Sequence, residues 1–68
     1  MNIWLNGEQR ELVAGSSVVE LLVLSGLSSG QRGVAVAVGS EVVPRSEWSK
    51  RELQEGDRVE ILVASQGG

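Results

Sequence analysis

A chain of 68 residues has room for one domain and one small core, and its 41% apolar content, mostly valine, leucine and alanine, is near the lower limit for unassisted folding. With no cysteine and no histidine, a disulfide framework, a thiolate metal site and the commonest metal ligand and general base are excluded. Nine acidic against six basic residues give a net charge of −3 without a Lys/Arg cluster, which argues against nucleic acid as a partner, and no run approaches membrane-spanning length.

The chain goes from Met1 straight into a strand pattern, Asn2-Ile3-Trp4-Leu5, without the basic stretch, apolar segment or cleavage motif of a leader. A cytoplasmic protein without membrane contact is expected. Ile3 and Leu5 fall on one face and Asn2, Trp4 and Asn6 on the other. Asn6-Gly7 predicts a type I′ hairpin, whose two central residues both need positive φ, leading into a second strand from Glu8 through Val13. Ala14-Gly15-Ser16-Ser17 then breaks the alternation. Ser17-Val18-Val19-Glu20 fits a capping box and predicts a helix from about Val18. Val18, Leu21 and Leu22 supply its apolar face, reinforced by Val19 and Leu24, and Gly26 stands where a C′ residue is wanted. The β-branched valines lower the helix propensity, but both caps agree with the periodicity.

After a loop over residues 28–33, Val34-Ala35-Val36-Ala37-Val38 alternates large with small, so Val34, Val36 and Val38 are expected to face the helix. Gly39-Ser40 turns the chain into a short strand, Glu41-Val42-Val43, which Pro44 ends because it cannot donate to a ladder. Residues 45–53 read as irregular or as a short helical turn, with Trp48 packed beneath. Gly56-Asp57 is a turn, and in the last strand, Arg58 to Ala64, Val59, Ile61 and Val63 alternate with Arg58, Glu60, Leu62 and Ala64. Leu62 is thus an apolar residue on a polar face.

Strand, strand, helix, strand, short strand, strand is the order of the β-grasp, or ubiquitin-like, fold. It is an α+β architecture in which a mixed sheet of four to five strands packs on one helix. In that fold the first and last strands pair in parallel at the centre of the sheet, so the expectation is a domain over residues 1–64 that projects a flexible tail, residues 65–68. The tail ends in Gly67-Gly68. Without Cβ atoms a diglycine passes through a channel too narrow for other residues and leaves the terminal carbonyl open to attack. Ser65 to Gly68 fully extended reach about 13 Å, enough to thread a partner's pocket while the domain stays outside.

Val42-Val43-Pro44-Arg45 followed by Glu47-Trp48, then Glu55-Gly56-Asp57-Arg58-Val59-Glu60-Ile61 and the final Gly67-Gly68, closely resembles the ThiS family of thiamine-biosynthesis sulfur carriers. The similarity extends to the turn at Asn6 and to the Ala-Gly-Ser entry of a Val-x-x-Leu-Leu helix. The chain departs from the family pattern at Gly39-Ser40, where many members place Asn, and at Gln66, where members often carry Ala or a third Gly. The resemblance implies that Gly68 is the modified residue. A ThiF-type enzyme using ATP and Mg would adenylate its carboxylate, and a persulfide donor, of the cysteine desulfurase or rhodanese type, would convert it to a thiocarboxylate. A ThiG-type thiazole synthase would then take the sulfur. Ser65, Gln66 and Gly67 would thread into these partners, and the chain itself, a protein substrate without catalytic residues, would bind no cofactor or metal. The absence of cysteine suits that chemistry, because no internal thiol can capture the activated carbonyl.

Leu62, with Trp4, either marks an apolar docking patch or is an ordinary exposed apolar residue of the kind every surface carries. Glu47, Glu52, Glu55, Asp57 and Glu60 either steer docking or form a solvated rim. Arg45 either anchors a partner carboxylate or pairs locally, and Glu20 is better explained as a helix cap than as an acid or base. Other readings are a molybdopterin-pathway sulfur carrier, a ubiquitin-like modifier of lysines, with Lys50 the only lysine of the chain, and a noncovalent interaction module.

Overall fold

The computed structural model of the chain describes residues 1–28 and 30–64. Its elements are β1 (Asn2–Leu5), β2 (Glu8–Glu11), α1 (Val18–Leu24), β3 (Val34–Val38), β4 (Glu41–Val43), a 3-10 turn (Arg45–Glu47) and β5 (Arg58–Val63). The five strands form one sheet in the order β2-β1-β5-β3-β4. The β1–β5 pair is parallel, and the β1–β2, β3–β4 and β3–β5 pairs are antiparallel. This is the mixed sheet with one helix that the element order predicts, and it seats the last strand between the first and the third.

Local chemistry accounts for the boundaries. Asn6 and Gly7 take φ of +49° and +85°, the pair of left-handed residues a type I′ turn requires. β2 ends at Glu11, not at Val13 as the sequence suggested. Leu12 is already core, its N–H bonded to the Met1 carbonyl at 2.7 Å. The Ser16 amide and hydroxyl both donate to the Val13 carbonyl, at 3.1 and 2.6 Å, and turn the chain out of the sheet. The Ser17 hydroxyl then accepts from the Glu20 amide at 3.4 Å, the serine half of the expected capping box. At the other end Leu27 N–H reaches the Leu22 carbonyl at 2.8 Å and Gly26 N–H the Val23 carbonyl at 3.0 Å, with Gly26 at φ +83°, which is a Schellman cap. A helix of seven residues is marginal alone, so packing holds it.

That packing joins Val18, Leu21 and Leu22 of α1 to Ile3, Val36, Val38, Val59 and Ile61 of the sheet in one buried cluster. Trp48, 2% exposed, closes the cluster beside β4, its indole Nε1 donating to the Val43 carbonyl at 2.8 Å. The segment after Pro44 is tied to the helix start, because Val18 N–H donates to Arg51 and Leu53 N–H donates to Ser16. One side of the sheet is therefore buried beneath α1 and the Trp48 segment, and among the described residues the other side is bare.

Candidate functional site

β5 alternates its backbone groups between two neighbours, as a strand inside a sheet must. Arg58 and Ala64 bond toward β3, through Gly39 N–H to the Arg58 carbonyl and Ala64 N–H to the Gly33 carbonyl, both at 2.7 Å. The odd residues turn toward β1, where Asn6 N–H donates to the Val59 carbonyl at 2.9 Å. β1 ends one residue earlier, yet the pairing continues through a side chain. Asn6 Oδ1 accepts from Ile61 N–H at 2.9 Å and Asn6 Nδ2 donates to the Ile61 carbonyl at 3.2 Å. The strand leading to the C terminus is thus clamped on both edges up to Ile61, and on the β3 edge as far as Ala64. Sequence reasoning read Asn6 as a turn residue only, and nothing local signals a partner 55 residues away.

Ser65, Gln66, Gly67 and Gly68, the residues expected to thread and carry the chemistry, lie outside the described residues. What the structure does place is the platform that precedes them. On the bare face of the sheet, Ala35 is opposite Leu62 and Ala37 lies between Glu60 and Val42. Leu62 and Val42 are 65% and 70% exposed and form an apolar patch with the two alanines beside the start of the tail. Val42, Ala35 and Ala37 were legible in principle, because the alternation that sends Val34, Val36 and Val38 inward sends these residues out.

Trp4 is on the same face, 43% exposed and opposite Arg58. Arg58 and Leu62 are four residues apart, about 13 Å at about 3.3 Å per residue, so Trp4 and Leu62 stand at opposite ends of β5. Arg45 is placed elsewhere, its Nη2 donating to the Gln31 carbonyl at 2.6 Å and its guanidinium 4.5 Å from the Trp48 ring centroid. It thereby braces the loop that enters β3. Two of the acidic residues have local work: Glu55 accepts from Asn2 N–H at 2.9 Å, and Asp57 accepts from Gln54 N–H at 2.8 Å. Among the described residues no cluster of three potential metal ligands occurs, and no helix is long and apolar enough to cross a membrane.

The family model for the ThiS family matches residues 3–68, so the match runs through the terminal diglycine. Over all 68 residues the chain is 34% identical to the sulfur carrier protein ThiS of Escherichia coli K12, covering 100% of each. It is also 37% identical over its full 68 residues to a thiazole synthase of Paramagnetospirillum magneticum, of which it spans 20%. Among solved structures it is similar to the crystal structure of the thiamine biosynthesis protein ThiS of Geobacter metallireducens, with a TM-score of 0.81, 28% identity and 100% of both chains covered.

Proposed function

The chain belongs to the ThiS family, and we propose that it is the sulfur carrier of thiazole formation in thiamine biosynthesis, a protein substrate and not an enzyme. The observation that carries this reading is the continuity between a central strand, held on its β3 edge as far as Ala64, and the four residues beyond Ala64, which run to Gly67-Gly68.

A carboxylate is a poor electrophile. A ThiF-type partner, using ATP and Mg, lets the Gly68 carboxylate displace pyrophosphate from the α-phosphorus and gives an acyl adenylate. A persulfide on a desulfurase or rhodanese-type donor attacks that carbonyl and expels AMP. A thiol then reduces the resulting acyl disulfide, leaving the Gly68 thiocarboxylate, that is, 1-thioglycine. The sulfur passes to a ThiG-type thiazole synthase, whose pairing with this chain is supported by a thiazole synthase that contains a stretch 37% identical to it. Ser65, Gln66 and Gly67 enter the partners' channels. The patch of Leu62, Val42, Ala35 and Ala37 docks beside the channel mouth, and Arg45 keeps the adjoining loop in place. The whole cycle is soluble chemistry, which suits a cytoplasmic location.

The test is reconstitution. A thiazole synthase supplied with the sulfurised chain should form thiazole, and should form none when the chain lacks Gly68.

A further inference from the structure

The edge of β5 that faces β1 is filled unevenly. Backbone of β1 pairs with it as far as Val59, and the Asn6 carboxamide takes the place of a strand at Ile61. The next residue to turn its N–H and C=O in that direction is Val63, by the alternation that sends Leu62 and Ala64 to β3. β1 has already turned away through Asn6-Gly7, and among the described residues nothing pairs with Val63 on that side. Val63 is also half-exposed, whereas Val59 and Ile61, on the same side of the strand, are buried. Among the described residues the β1 side of β5 is therefore open at Val63, at the root of the tail and just beyond the Asn6 carboxamide, and this opening is the gap.

We infer that this gap is a β-augmentation site, into which an extended segment of thiazole synthase inserts its backbone against Val63. An unpaired strand edge recruits main chain from another molecule, and main-chain bonds supply affinity without demanding a particular side chain. The occupant follows from where the chain goes. Gly68 is five residues beyond Val63, so an enzyme acting on the Gly68 carboxylate must bring its own chain within about 17 Å of Val63. The choice of thiazole synthase rests on the carrier reading above and on the thiazole synthase that contains a stretch similar to this chain. The inserted segment would continue the line that β1 abandons and hold the tail in register with the active site.

Val63→Pro tests this, because it removes only the N–H that faces the gap and leaves the Leu62 and Ala64 bonds to β3 in place. Proline is tolerated at a strand edge, and the residue before it prefers the extended conformation that Leu62 already has. Val63→Ala keeps the N–H and is the control. In titrations of the full chain against purified thiazole synthase, Val63→Pro should bind about tenfold or more weakly and Val63→Ala within about twofold of the parent, as losing about 1.4 kcal/mol of pairing requires. Independently of folding in the variant, the Val63 amide of the parent chain should exchange rapidly when free and be protected at least about tenfold in the complex. Equal binding by Val63→Pro, or an amide equally exposed in the complex, overturns the augmentation site while leaving the carrier function untouched. A parent chain that does not bind thiazole synthase at all overturns the partner assignment and this site together.

Discussion

The carboxamide of Asn6 holds the backbone of Ile61 as a strand residue would, accepting its N–H at 2.9 Å and donating to its carbonyl at 3.2 Å. Two distant chain segments are joined where the hairpin peels away from β5. Asn6→Gly keeps the positive φ of the turn and deletes both bonds, so it should cost about 1–3 kcal/mol of stability. Asn6→Ala should cost about 1–2 kcal/mol more, because alanine resists φ near +49°. Urea unfolding followed by Trp fluorescence measures both. Equal stabilities for parent and glycine variant would show that the clamp contributes nothing.

Gly26→Ala isolates a backbone cost. An added Cβ would meet no atom within 4 Å, yet the residue sits at φ +83°. The expected loss is about 1–2 kcal/mol, all of it conformational. A neutral result in the same unfolding assay would mean that the Schellman cap refolds into another helix end.

Trp48 couples the segment after β4 to the core through its packing and its bond to Val43. Trp48→Phe should lose about 1–3 kcal/mol, since the Val43 carbonyl loses its buried donor. Trp48→Ala should lose about 3–5 kcal/mol, comparable with the whole stability of a domain this small, and should populate the unfolded state at room temperature. Circular dichroism distinguishes the two.

Most of the fold was legible because its signals are local. Asn6-Gly7 names its turn, Ser17 and Gly26 name the two ends of α1, and the valines of β3 name their buried face. The extent of β2 was misjudged because Leu12 and Val13 are strand-compatible residues that follow Glu11 without a break in sequence, whereas the two Ser16 hydrogen bonds to the Val13 carbonyl already turn the chain there. At the site, the sequence singled out Leu62 and Trp4 but treated them together. Their separation along β5 depends on register, which only the pairing of β1 with β5 fixes. The Asn6 clamp and the gap at Val63 were invisible for the same reason: both arise between segments some 55 residues apart.

Leu62→Asp separates docking from folding. Leu62 is 65% exposed, so stability should change by no more than about 0.5 kcal/mol. Association with the activating enzyme or thiazole synthase should weaken about tenfold or more, the size of effect that burying such a side chain at an interface brings. Val42→Asp should act in the same direction. Isothermal titration with each partner reads the effect, and undiminished binding by both variants would move the docking surface off this face.

The central claim is that the chain carries sulfur on Gly68, and intact-protein mass spectrometry tests it most directly. The chain is incubated with ATP, Mg, a sulfide source and a ThiF-type activating enzyme, in parallel with a chain lacking Gly68. A mass gain equal to the exchange of one oxygen for sulfur, present in the full chain and absent from the truncated one, is the predicted result. A full chain whose mass is unchanged alongside a carrier that the same enzyme does sulfurise would contradict the account and leave the diglycine an ordinary chain end.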